Sequence, residues 1–63
     1  MAHWVILKRD ETSEYLNLEV ATRILHRPNH AILVYYGNEQ IIVSKNDKPG
    51  TYAHICAYLG IQE

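Results

Sequence analysis

The sequence predicts a small α+β domain over residues 1–63: a mostly antiparallel sheet of 4–5 strands with one C-terminal helix packed on one face. The first observation is a hairpin pattern from His30 to Ser44, where two runs rich in β-branched and aromatic residues flank Gly37-Asn38. The second is a helical spacing of apolar residues near the C-terminus. The third is length, because 63 residues suffice for one small core.

The first half of the chain is expected to supply three strands. His3 to Lys8 is rich in strand-forming residues, and the mixed charges from Lys8 to Glu14 indicate a solvated loop. Tyr15 to Leu18 resumes a strand, and Thr22 to Arg27 continues as a third. Between them, Glu19 to Ala21 leaves a bulge, a bend or a single helical turn open. A longer helix through this region is the competing interpretation, because some of its residues have near-helical spacing.

A turn at Arg27 to His30 is expected to reverse the chain, since proline presets one backbone angle and asparagine accepts unusual ones. The third strand then pairs antiparallel with the hairpin. A two-residue loop would place His26 opposite Ala31.

The Gly37-Asn38 turn predicts the register of the hairpin, with Tyr36 opposite Glu39. Side chains alternate across a strand, so two apolar sets form. One face carries Ile32, Val34, Ile41 and Val43, and the other carries Leu33, Tyr35 and Ile42. Two apolar faces predict a central position, with the helix on one face and either the remaining sheet or a second chain on the other.

The C-terminal helix is predicted from Tyr52 to Leu59, with Thr51 as its N-cap and Gly60 as its end. Its core-facing stripe comprises Tyr52, Ile55, Cys56 and Leu59. A helix this short needs tertiary packing to be stable, which indicates that it covers the sheet.

Composition disfavours several classes of protein. The net charge of −1 disfavours nonspecific nucleic-acid or anionic-membrane binding. One cysteine forms no internal disulfide, and the chain shows neither a signal-peptide pattern nor an apolar run of transmembrane length. We therefore expect a cytoplasmic protein without a membrane partner.

The motifs that usually carry catalysis or metal binding are absent from the sequence. His26 and His30 flank the proline turn, but no cysteine or carboxylate pattern completes a ligand set. Cys56 and His54 lie two positions apart, which on a helix directs them to different sides. Neither a glycine-rich phosphate loop nor a nucleophile elbow is present. We expect no enzyme activity, no cofactor and no metal.

Cations and tyrosines are the candidate contact residues. A simple up-and-down meander would gather the basic loop residues at one end as a rim: Lys8, Arg9, Arg27, Lys45 and Lys48. A bend at Glu19 to Ala21 without reversal would send Lys8 and Arg9 to the opposite end. Trp4, Tyr15, Tyr35 and Tyr36 all lie on predicted strands. Tyrosines that reach the surface suit stacking on bases or on a protein partner, and Tyr35 and Tyr36 are the candidates.

The strand pattern from Tyr15 to Lys45 resembles that of LytTR-type DNA-binding domains and of small uncharacterised bacterial proteins. The resemblance lies in Tyr15-Leu16-Asn17-Leu18, in Ile24, and in the hairpin that ends Gly37-Asn38-Glu39-Gln40-Ile41-Ile42-Val43-Ser44-Lys45. It implies a β-rich fold with a terminal helix and allows DNA binding. Ala21 departs from the larger aliphatic residue usual in that pattern.

These observations together predict a noncatalytic binding or regulatory module that acts through protein–protein contact, with a homodimer as one form. The apolar second face of the hairpin is the reason. The alternative is a nucleic-acid-binding protein that uses the basic loops and the tyrosines.

Overall fold

The computed structural model describes residues 2–62, except for the side chain of Arg9. Its elements in chain order are β1 (Trp4–Arg9), β2 (Thr12–Asn17), a 3₁₀ turn (Leu18–Val20), β3 (Arg23–Arg27), β4 (Ala31–Tyr36), β5 (Glu39–Ser44) and α1 (Pro49–Leu59). The strands form two antiparallel sheets, β1-β2 and β3-β4-β5. The predicted small α+β fold, with five strands and one C-terminal helix, is confirmed, and the strands are divided between two sheets.

The first hairpin is longer than the sequence predicted. The expected loop from Lys8 to Glu14 is wrong, because β1 and β2 pair from Trp4 opposite Asn17 to Arg9 opposite Thr12. The turn is only Asp10-Glu11, and Asp10 adopts a φ of 53°, which aspartate tolerates better than most residues. The first three residues of β2, Thr12 to Glu14, are exposed, so their polar side chains, typical of a loop, are solvated on a strand.

A 3₁₀ turn at Leu18–Val20 connects the two sheets. The single helical turn that the sequence left open is therefore present, and the longer helix is wrong. The Asn17 side chain holds this corner, because its Oδ1 accepts from the backbone N–H groups of His3 and Glu19, both at 3.1 Å. Leu18 is buried in the core, which ties the corner to both sheets.

The turn between β3 and β4 has three residues, Pro28 to His30. The expected pairing of His26 with Ala31 is wrong by one position, since His26 lies opposite Ile32 and Arg27 opposite Ala31. The positive φ falls on His30, at 61°, and its carbonyl accepts from the Lys45 N–H at 3.0 Å. The turn has three residues instead of the expected two, and its last residue, His30, adopts the left-handed backbone conformation.

The β4-β5 register is the one that the sequence predicted, from Tyr36 opposite Glu39 to Ile32 opposite Val43. All four residues of the predicted core face are buried. β4 is the central strand of its sheet, but β5 is an edge. The predicted central position therefore holds for only one strand of the hairpin.

The helix begins three residues earlier than predicted, at Pro49. Thr51 is not the N-cap, because it lies inside the first turn, where its hydroxyl donates to the Ile6 carbonyl of β1. Three members of the predicted stripe are buried, whereas Leu59 is 38% exposed. Gly60 ends the helix as expected, in the left-handed conformation with a φ of 77°.

Helix α1 packs on the same core as both sheets. The buried cluster combines Val5, Leu7, Leu16, Leu18, Ile32, Val34, Ile41, Val43, Tyr52, Ile55 and Cys56. No helix within residues 2–62 is long and apolar enough to cross a bilayer.

Candidate functional site

A groove of about 370 Å³ lies between the first hairpin and β5. Three of its lining residues are large, apolar and mostly exposed: Trp4 (56%), Tyr15 (61%) and Val20 (62%). The others are Glu14, Leu16, Asn17, Tyr36, Glu39 and Ile41. We call this feature the aromatic groove.

Strand alternation places the aromatic side chains toward solvent. Val5 and Leu16 take the core side of the first hairpin, which leaves Trp4 and Tyr15 on the outer side. The 3₁₀ turn brings Val20 to the same groove. An exposed cluster of this kind is what interaction surfaces commonly show.

Tyr36 joins the two sheets at one end of the groove. Its hydroxyl donates to the Asn17 carbonyl at 3.1 Å, so the end of β4 is fastened to the end of β2. Desolvation by burial raises the pKa of Tyr36 above its ordinary value of 10.0, because the phenolate loses hydration there.

The raised pKa of Tyr36 predicts a loss of stability in alkali. Below the unfolded-state pKa of about 10, both states carry the proton and the contribution of Tyr36 is complete. As the pH rises from there through the higher folded-state pKa, only the unfolded state releases its proton, so the free energy of unfolding falls. Urea denaturation between pH 8 and 11 checks this result. Tyr36→Phe should show a shallower decline, and an identical decline in both proteins would contradict it.

A carboxylate lies at one side of the aromatic groove. Glu39 is an exposed lining residue, and no lysine or arginine is among the described lining residues. The groove therefore combines aromatic surface with the Glu39 carboxylate, which favours a partner that carries positive charge there.

The two predicted tyrosine contacts lie in different surroundings. Tyr35 is half-buried on the outer face of the three-stranded sheet, where the Arg23 guanidinium lies 4.8 Å from its ring centroid. Tyr36 is also half-buried and uses its hydroxyl within the fold. Trp4 and Tyr15, which the sequence placed on strands without showing whether they reach the surface, are the more exposed pair, because exposure depends on how the two sheets pack.

Three of the predicted basic residues lie at or just beyond the same end of the three-stranded sheet. Arg27 ends β3, the Lys45 N–H bonds to the His30 carbonyl, and the Lys48 N–H bonds to the Ser44 carbonyl at 2.7 Å. The Lys48 ammonium lies 3.7 Å from the Asp47 carboxylate, which partly offsets its charge.

Lys8 and Arg9 end β1 beside the Asp10-Glu11 turn. Because the Thr51 hydroxyl bonds Ile6, the C-terminal half of β1 runs toward the start of α1, which follows Lys48. A basic rim formed by all five cations stays a prediction.

The structure brings together two histidines that lie far apart in the sequence. The rings of His3 and His54 are 5.5 Å apart and nearly perpendicular, and the Tyr58 ring lies 4.4 Å from that of His3. The His3 Nε2 atom is buried without a hydrogen-bond partner. Within the described residues, no three histidine, cysteine, aspartate or glutamate side chains gather as metal ligands.

Comparisons of the chain with protein-family models, with curated proteins and with solved structures found no match.

Proposed function

We propose that this chain is a noncatalytic binding module that acts through protein–protein contact at the aromatic groove. The observation that carries the proposal is the exposure of Trp4, Tyr15 and Val20 around one groove. Tryptophan and tyrosine are enriched among the residues that dominate binding energy at protein interfaces. The partner is a second copy of the chain, which forms a homodimer, or another protein.

The ionisable groups of the groove support a binding role over a catalytic one. They are two carboxylates and the phenol of Tyr36, and that phenol is engaged with the Asn17 carbonyl. Aromatic side chains beside a few charges suit recognition, because they bury area and the charges set orientation.

Photo-crosslinking tests the proposal. A photoreactive amino acid replaces Tyr15 in cells that express the chain, and the same probe at Glu11, an exposed turn residue, serves as the control. We expect discrete protein adducts from position 15 and none from position 11. Sedimentation of the purified chain over a concentration series then separates a homodimer from a different partner. Absence of protein adducts at position 15 would overturn the proposal.

A second candidate function, nucleic-acid binding, is favoured by the outer face of the three-stranded sheet. The cross-strand rows of that face are Arg23-Tyr35-Gln40, Leu25-Leu33-Ile42 and Arg27-Ala31-Ser44. They contain two arginines and a tyrosine but no carboxylate, and Ile42 is 62% exposed. A homodimer through this face would bring like charges together, whereas phosphates would neutralise them.

This second candidate predicts binding to single- or double-stranded probes that weakens steeply as salt rises. Replacing both Arg23 and Arg27 with glutamine should reduce the slope of log affinity against log salt by about two. No binding at low salt would exclude the nucleic-acid function.

A further inference from the structure

We propose that the occupant of the aromatic groove is an extended peptide that adds as a strand to the free edge of β2 and directs a lysine or arginine side chain toward Glu39. This inference rests on the proposed function and names the class of partner.

The backbone of Tyr15 points away from β1. In an antiparallel pair, opposite residues alternate between those that bond each other and those whose N–H and C=O groups point outward. The Leu18 N–H bonds the His3 carbonyl at 2.8 Å, so these two form a bonded pair, and Ile6, three positions along, belongs to an outward-pointing pair. The bond from the Thr51 hydroxyl to the Ile6 carbonyl agrees with this direction. The partner of Ile6 in the register is Tyr15, whose N–H and C=O groups therefore point away from β1 as well.

That outward edge opens on the aromatic groove. Asn17 lies two residues after Tyr15, so its backbone groups point in the same direction. Its carbonyl accepts from the hydroxyl of Tyr36, a lining residue of the groove. β2 pairs only with β1, and the hydrogen bonds within residues 2–62 include no backbone partner for Tyr15 on its outer side. Tyr15 thus offers a donor and an acceptor to a strand in the groove.

β5 forms the other side of the groove and also has a free edge. Tyr36 and Glu39 close the two-residue turn as a mutually bonded pair, so the N–H and C=O groups of Gln40 point away from β4. Ser44 lies four residues after Gln40 on the same strand, so its backbone groups point in the same direction. The Ser44 carbonyl accepts from the Lys48 N–H outside the sheet, which agrees with an outward direction. β2 and β5 are not paired with each other.

An extended peptide matches these features better than a helix does. A helix satisfies its own backbone groups, so it would leave the edge groups of Tyr15 unused. Alternate side chains of an added strand point to opposite sides, so one set meets Trp4 and the ring of Tyr15 while the next approaches Glu39. The Glu39 carboxylate favours a cation at that position.

A random dodecapeptide library displayed on phage tests the proposal, with the full chain as bait. We expect the recovered sequences to alternate apolar or β-branched residues with polar ones and to contain at least one lysine or arginine. Tyr15→Pro, compared with Tyr15→Thr, is the matched bait pair. Both lack the ring, but only the proline lacks the outward N–H. A thermal unfolding scan shows whether both variants are folded.

Synthetic versions of the recovered peptides, chosen without tryptophan, then give a direct measurement. Trp4 is the only tryptophan of the chain, so its emission reports binding at the groove. We expect N-methylation of every second peptide residue to weaken binding at least tenfold, since it removes strand donors and keeps the side chains. Glu39→Gln should weaken binding about fivefold, and Glu11→Gln, in the exposed turn, should leave it unchanged.

Three results would overturn the strand-addition proposal: recovery of helical, proline-rich or acidic sequences, enrichment no greater than on the Tyr15→Pro bait, or affinity that is insensitive to N-methylation. If the library yields no enriched peptides at all, that outcome counts as enrichment no greater than on the Tyr15→Pro bait. If protein adducts still form at position 15, only the class of occupant is wrong. If they do not form, the proposed function fails with it.

Discussion

Replacement of Ile55 with alanine is expected to leave a large share of molecules unfolded at 25 °C. Ile55 is fully buried where α1 meets the core. Removal of such a side chain costs about 2–5 kcal/mol, because apolar contacts are lost and a cavity remains. A single core of this size rarely supplies more than about 3–5 kcal/mol in total. Circular dichroism during urea titration measures the loss.

Leu59→Ala is the control on the same helix. Since Leu59 is 38% exposed and lies outside the buried cluster, its truncation should lower the free energy of unfolding by about 1 kcal/mol, well below the loss in Ile55→Ala. Equal losses in the two variants would contradict the burial pattern of α1. They would agree instead with the apolar stripe that the sequence predicted through Leu59.

Thr51→Val is expected to destabilise the fold by about 1–3 kcal/mol. Valine has nearly the same shape as threonine, so packing is kept. The buried Thr51 hydroxyl, however, no longer donates to Ile6, and that carbonyl of β1 loses its partner. Chemical denaturation measures the change, and Thr12→Val, at an exposed position of β2, is the matched control.

Amide exchange shows which part of the protein depends on the Thr51 hydroxyl. We expect faster exchange in Thr51→Val both at the start of α1 and along β1, because the bond connects them. Faster exchange confined to the first turn of α1 would mean that Thr51 acts as a local cap. An effect no larger than that of Thr12→Val would show that the hydroxyl adds no stability.

Local chemistry explains why the second hairpin could be predicted from the sequence. A two-residue turn determines the register of its flanking strands, so Gly37-Asn38 specifies every pair from Tyr36-Glu39 to Ile32-Val43. The core face follows from alternation alone. The end of α1 was equally predictable, because Gly60 accepts the left-handed conformation that stops a helix.

The first hairpin could not be predicted in the same way. Asp10-Glu11 turns without a glycine, and the exposed residues of β2 have loop-like composition. Threonine is a common N-cap residue, so the sequence favoured that role for Thr51. Only the position of β1 shows that the Thr51 hydroxyl bonds the Ile6 carbonyl instead.

The aromatic groove depends on tertiary packing still more strongly. Trp4, Tyr15 and Glu39 become neighbours only when the β1-β2 sheet packs beside β5. No local pattern in the sequence encodes that arrangement, so the candidate site could not be found there.

The strand connections have a consequence for folding rates. Every strand pair joins sequence neighbours, and such hairpins form within microseconds. The Thr51 to Ile6 bond, by contrast, spans 45 positions and requires α1 to have docked on β1. Closing so long a loop is entropically unfavourable, so this contact should form after the folding transition state. Loss of the Thr51 hydroxyl would then accelerate unfolding and leave the folding rate nearly unchanged.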